Sequence, residues 1–345
     1  MRKSIALSLF AALGLLTVSL SACSKRAADG EVDRLVLGFY TTPREVYGRA
    51  ILPAFIERHE RFTGRRLEIH DSYLGSGAQA RAIVGGFEAD VAALSLKPDL
   101  DHLAEANLIT HDYAEGQYGG MVTRSLVVIG VREGNPKHIR DFADLARPGV
   151  SILTPNVRMS GGAMWNFLAL YGAAKRGHLG VDPSDEDAII RRLSEILRNV
   201  IVMDRGARES SLNFERGIGD AIITYENELL TARDAGHRFE IIIPRSTILI
   251  ENPIALVDVY AKKHGSLEIA RSFIEFVHTQ EAQRAFAEAG YRPVHPAVEE
   301  EFRSKFPAVD ELFRVEDLGG WETVRREIFA AGALYDRVLE ASRRR

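Results

Sequence analysis

Short runs of β-branched and aromatic residues alternate with longer stretches of helical periodicity along nearly the whole chain, and this alternation restricts the fold to the α/β class. Residues 34–40, 67–71, 90–95, 125–131, 150–153, 200–203, 220–224, 239–243 and 253–259 read as strands. Residues 47–61, 162–175, 186–199 and 209–216 read as helices between them. Strands joined through helices return in the same direction, so the sheets are expected to be mostly parallel. No short period repeats and no low-complexity stretch divides the chain. Its 345 residues suit two domains of about 100 to 200 residues each. Without a flexible linker, two lobes require the chain to cross between them in strands.

The N-terminus carries a different signal. Arg2 and Lys3 precede an apolar run over residues 5–20, which is too short and wrongly flanked for a membrane span. The run ends at Leu20-Ser21-Ala22-Cys23, the pattern of a bacterial lipobox, in which Cys23 is lipidated and becomes the mature N-terminus. An ordinary secretory signal cut near the same place is the alternative. Cys23 is the single cysteine of the chain. That excludes an internal disulfide, a CxxC redox pair and a thiolate metal cage. The polar residues 23–33 suit a tether between lipid and domain. The 44 basic and 48 acidic residues are well mixed, which argues against nucleic acid as a partner.

Candidate chemistry falls at four places where a strand gives way to a helix through small residues. These are Gly75-Ser76-Gly77, Ser160-Gly161-Gly162, Asp204-Arg205-Gly206-Ala207 and Thr224-Tyr225-Glu226-Asn227. A helix N-terminus offers unpaired N–H groups and a partial positive charge. Glycine lets that backbone approach a ligand, and serine adds a hydroxyl. Taken singly, each such turn is equally well explained as a cap. Converging, they would make an anion site. Neither serine lies in a Gly-x-Ser-x-Gly elbow, and the ten histidines show neither an i,i+4 pair nor a His-Glu-x-x-His pattern. No Gly-x-x-x-x-Gly-Lys phosphate loop occurs. Catalysis, a metal and a cofactor are therefore not expected.

Over almost the whole mature length the chain resembles the periplasmic sulfate-binding proteins of sulfate/thiosulfate ABC importers. The resemblance rests on Gly75-Ser76-Gly77-Ala78-Gln79-Ala80 with Glu88-Ala89-Asp90-Val91, on Arg132-Glu133-Gly134-Asn135-Pro136-Lys137, and on the stretch from Pro148 to Asn156. It continues through Ser160-Gly161-Gly162-Ala163, Gly206-Ala207-Arg208, Gly217-Ile218-Gly219-Asp220, Tyr291-Arg292-Pro293 and Gly319-Gly320-Trp321. It implies a type II periplasmic binding fold, two α/β lobes with a ligand cleft between them. The first lobe would span 34–122 and 249–322, the second 123–248, with crossovers at 124–131 and 247–257 and a C-terminal helical segment at 323–345.

Carried over residue by residue, the ligand contacts implied are Ser76, Ser160, Gly161, Gly162 and Ala207, supplying backbone N–H groups and hydroxyls. The family's tryptophan is replaced by Tyr225, whose phenol can donate or accept. The usual aspartate before Pro43 is replaced by Thr42, and the family's asparagine-proline-lysine stretch by Asn156-Val157-Arg158-Met159. Arg81, Arg205 and Arg208 are expected to stand outside the contact set. The implied partners are sulfate or a related oxyanion (thiosulfate, molybdate, tungstate or phosphate), permease subunits in the membrane, and the membrane itself through Cys23, with the protein a monomer. A sensory domain docking a signalling protein is the reading from another class.

Overall fold

The first strand shows how the sheet is assembled. In β1 (Asp33–Tyr40), Leu35, Leu37 and Phe39 alternate onto one buried face. Gly38 faces the other way, and a Cβ there would lie 2.9 Å from the Ile83 methyl, so a helix rests directly on the strand. The coordinates are a computed structural model that describes residues 32–344. The leader, Cys23 and most of the expected tether lie outside the described residues. β1 pairs in parallel with β2 (Leu67–Leu74) and β3 (Val91–Ala93). A second parallel group is formed by β5 (Ile152–Pro155), β6 (Val200–Asp204) and β7 (Ala221–Tyr225).

Two long strands join these groups. β4 (Met121–Arg132) and β9 (Ser246–Leu256) are antiparallel neighbours through Leu126↔Leu249 and Ser125↔Ile250. The far part of β4 continues onto β7 and β8 (Phe239–Ile242), while β9 pairs with β3 at one end and β10 (Glu311–Phe313) at the other. The strand order is β2-β1-β3-β9-β4-β7-β5-β6. Val127, Ile129 and Val131 face one core and Leu126 and Val128 another, which is why this stretch of β4 is an unbroken apolar run.

The helices cover both faces. α1 (Arg44–Val46) runs through a π turn at Tyr47–Ile51 into α2 (Leu52–Thr63). α3 (Ser76–Val84) follows β2, and α4 (Lys97–Glu105) follows β3. α5 (Gly161–Lys175) follows β5 and leads to α6 (Glu186–Arg198); α7 (Ala207–Glu215) follows β6, and α8 (Glu226–Asp234) follows β7. After β9 come α9 (Asp258–His264), α10 (Leu267–Val277), α11 (Gln280–Glu288), α12 (Pro296–Glu301), α13 (Gly320–Thr323) and α14 (Leu334–Arg343). α6 is amphipathic: Ile189, Leu193, Ile196 and Leu197 recur at helical spacing and share a core with Tyr335 and Val338 of α14. Its start is capped by the Asp185 carboxylate, which accepts from the Ala188 N–H at 2.9 Å. α5 is apolar and buried nearly all round, and a Cβ at Gly172 would collide with the Phe313 ring.

Several expected boundaries move. The strand expected at 253–259 begins at Ser246 and ends at Leu256. Asp258 instead opens α9, where its carboxylate accepts from the Thr110 N–H and hydroxyl at 2.7 Å and from Lys262 at 2.6 Å. Asp258 and Val259 belong to a helix because that carboxylate ties the turn to another loop, a contact invisible in local pattern. The strand expected at 90–95 is only Val91–Ala93, which leaves Ser95 beyond its end. Among the described residues no helix is long and apolar enough to cross a membrane, and no group of His, Cys, Asp and Glu is placed to hold a metal.

Candidate functional site

Helices follow parallel strands at their C-terminal ends, and the three antiparallel pairings β3–β9, β9–β4 and β4–β7 make the group that carries α3 run opposite to the group that carries α5, α7 and α8, so that the helix N-termini of the two groups face each other. There the four turns singled out in the sequence meet. A Cβ on Gly75 would lie 3.0 Å from the Met159 carbonyl, which joins the α3 turn to the α5 turn. A Cβ on Gly161 would lie 2.8 Å from Ser95 Oγ, and one on Gly162 would meet the Tyr225 ring at 2.7 Å and Ala207 Cβ at 3.0 Å. Ser76, Ser160, Gly161, Gly162, Ala207 and Tyr225 are all buried. Neither Gly161 nor Gly162 has a positive φ. Close approach of neighbouring groups, rather than an unusual backbone angle, is what demands glycine at both.

The two serines are wired differently. Ser160 caps α5: its N–H is taken by the Asn156 carbonyl at 2.9 Å, and its Oγ accepts from the Ala163 N–H at 3.3 Å. Among the described residues its hydroxyl hydrogen has no acceptor, so what Ser160 can offer a ligand is an O–H. Ser76 donates its hydroxyl hydrogen to Asp99 Oδ2, while its Oγ accepts from the Ser95 N–H at 2.9 Å. A hydroxyl has one hydrogen to give. What Ser76 can offer is therefore its backbone N–H, which has no intrahelical acceptor in the first turn of α3. The same holds for the N–H groups of Gly161, Gly162 and Ala207.

Ser95 is the residue on which the turns lean. Its hydroxyl is 2.7 Å from the Tyr225 hydroxyl, and its carbonyl accepts from Trp165 Nε1 at 3.0 Å and Asn252 Nδ2 at 3.1 Å. The Trp165 indole N–H is thus committed to the backbone. Burial holds the Tyr225 phenol well above its ordinary range, so it is neutral at all working pH values. Burial likewise pushes the Asp99 carboxyl up to about 6, against the opposing pull of the Ser76 hydroxyl, Arg81, His102 and Arg325.

Among the described residues no side-chain cation is hydrogen-bonded to Ser76, Ser95, Ser160 or Tyr225, although Arg81 Nη1 comes within 3.3 Å of a Cβ built on Gly77, beside Asp99. Arg208, next to Ala207, turns to Glu45 at 2.9 Å, Glu228 at 3.3 Å and Glu215 at 3.4 Å. Burial pushes Glu228 up to about 7, with Arg208 opposing. Thr42, Glu45, Arg208, Glu228 and Tyr291 line an adjacent cavity of about 560 Å³. Arg205 offers its backbone N–H to Glu209 Oε2 at 3.1 Å. Sequence reasoning missed Ser95 and Asp99. The available signal was a serine just past an apolar strand end, followed by Lys97-Pro98, a helix-start pattern.

The arrangement defines a class: an α/β protein of type II periplasmic binding fold whose cleft edge is lined by helix N-termini. Residues 40–292 match the family described as bacterial extracellular solute-binding protein. The sulfate-binding protein of Synechococcus elongatus is 37% identical over 96% of this chain and 95% of its own length. The thiosulfate-binding protein of Escherichia coli K12 is 32% identical over 92% of this chain and 94% of its own. Among solved structures, the sulfate-binding protein SubI from Mycobacterium tuberculosis superposes with a TM-score of 0.77 at 34% identity, covering 86% of this chain and 99% of its own. The chain belongs to the bacterial extracellular solute-binding proteins and, within them, to the sulfate-binding protein family.

Proposed function

We propose that the protein is a lipid-anchored, non-catalytic receptor that captures sulfate outside the cytoplasm and presents it to an ABC importer. One observation carries the reading: three helix N-termini, the Ser160 hydroxyl and Tyr225 meet in a cluster whose hydroxyls are hydrogen-bonded to no side-chain cation among the described residues. A fully ionised dianion has no proton to give and is matched by such donors. About five to seven charge-assisted bonds, each worth about 1.5 to 3 kcal/mol before dehydration is repaid, allow a micromolar Kd, about −8 kcal/mol. The names of the Synechococcus and Mycobacterium relatives support sulfate. The E. coli relative makes thiosulfate the second candidate.

Ser76, Ser160, Gly161, Gly162, Ala207 and Tyr225 are the proposed contacts. The lobes would be 34–122 with 249–322, and 123–248, closing about β4 and β9. Neither serine is hydrogen-bonded to a histidine, which supports binding over hydrolysis. Cys23 would carry the lipid. Calorimetric titration with sulfate, thiosulfate, phosphate, molybdate and tungstate tests the reading. Micromolar sulfate binding, with compaction in small-angle scattering, is expected. Phosphate outranking sulfate, or turnover of a sulfate ester, would overturn it. Cys23→Ala should release a folded, sulfate-binding protein from membranes; a variant that still partitions with them removes the anchor.

A further inference from the structure

Among the described residues Asp99 is the one carboxylate hydrogen-bonded to a side chain of the cluster, the Ser76 hydroxyl, which has no second hydrogen to give. Ser76 Oγ gives its hydrogen to Asp99 Oδ2 and accepts the Ser95 N–H at 2.9 Å, and Ser95 Oγ is in turn 2.7 Å from Tyr225. The chain Asp99–Ser76–Ser95–Tyr225 therefore joins the starts of α3 and α4 to that of α8. While Asp99 is ionised, the hydroxyl of Ser76 presents only its remaining lone pair. That lone pair repels an unprotonated oxyanion and suits one that carries a hydrogen. Once Asp99 is protonated it can donate to Ser76 Oγ. Both serine lone pairs are then occupied, by the Asp99 O–H and the Ser95 N–H, and the serine hydrogen is released.

We propose that Asp99 is a positioning residue that, through Ser76, sets the proton preference of the cleft: deprotonated it disfavours a full dianion, and protonated it adds a donor for one. This rests on the reading of the cleft as an oxyanion site. Sulfate keeps both charges across the physiological range, so any change in its affinity there reports on the protein. The elevated range of Asp99, about 6, places the change in that window. The charged groups acting on Asp99 are Arg81 from α3, His102 from its own helix and Arg325 from the segment after α13. His102 lies on the same helix, and its influence must be separated from that of Asp99.

The probe is sulfate itself, titrated calorimetrically between about pH 5 and about pH 8 in buffers of different ionisation enthalpy. Wild type should bind about tenfold more tightly at the acid end, the effect of one added bond to a charged group, and take up protons on binding near the midpoint. Asp99→Asn should bind at pH 8 at least as tightly as wild type does at pH 5, with the pH slope and the proton uptake lost. His102→Asn should keep both. A weaker Asp99→Asn variant, an unchanged slope in it, or a slope lost in His102→Asn would each overturn the proposal. Carbon-13 titration of the Asp99 carboxyl tests the bond without any anion, since Ser76→Ala should move its midpoint upward. An unmoved midpoint defeats the Asp99–Ser76 link alone. Absence of sulfate binding by wild type defeats the receptor reading and this proposal with it.

Discussion

At the start of α8 two adjacent residues face opposite electrostatic solutions. Tyr225 turns into the cluster of helix N-termini, where it meets the Ser95 hydroxyl at 2.7 Å and the backbone of Gly162. Glu226 turns the other way, onto Arg292, which binds it through two nitrogens at 2.7 and 2.9 Å. Arg292 also bonds the Pro307 carbonyl at 2.9 Å, and its backbone exchanges two 2.9 Å hydrogen bonds with Arg124 of β4. On the Glu226 side charge is neutralised by charge and the pair stitches elements together. On the Tyr225 side the donors are neutral and attached to rigid backbone. Arg208 and Arg292 are both held by carboxylates, so the groups turned into the cluster around Tyr225 are hydroxyls and helix N-termini.

The largest effect expected is on the charged side. Arg292→Ala leaves Glu226, only 3% exposed, without its partner, and should cost about 3 to 5 kcal/mol in chemical denaturation. Replacing both, Glu226→Leu with Arg292→Met, should recover most of that loss. If it does not, the pair holds more than its own charges. On the dipole side, Gly162→Val pushes against the Tyr225 ring and Ala207 and should cost roughly 2 to 3 kcal/mol of sulfate binding. Ser160→Ala should cost about 1.5 to 3 kcal/mol of binding, and Ser76→Ala clearly less near neutral pH, because the Ser76 hydrogen is committed to Asp99. Equal losses in calorimetry would remove that distinction. The smallest effect is Tyr225→Phe. Loss of a neutral bond to Ser95 should cost about 0.5 to 1.5 kcal/mol of stability. A larger loss confined to sulfate binding would show that the phenol donates to the anion, and a loss confined to phosphate that it accepts.

The alternation of strands and helices and the four small-residue turns were legible because they are local: strand period, helix period and capping chemistry are written within about ten residues. Ser76, Ser160, Gly161, Gly162, Ala207 and Tyr225 were found that way, helped by family likeness, and they do lie together. Ser95 was hidden inside an apolar run read as strand to its last residue. Asp258, read as part of a strand, is a helix start because its partner Thr110 is 148 positions away.

By itself the sequence determined the α/β class, the positions of helix starts and the small side chains at each, since these depend on neighbours along the chain. Only the tertiary structure decided which donors remain free. The Ser160 hydroxyl keeps its hydrogen, while Ser76 gives its own to Asp99, and Trp165 spends its indole N–H on the Ser95 carbonyl. A polar group's availability is what is left after every neighbour in space has taken its share, and those neighbours are brought in by sheet topology from distant parts of the chain.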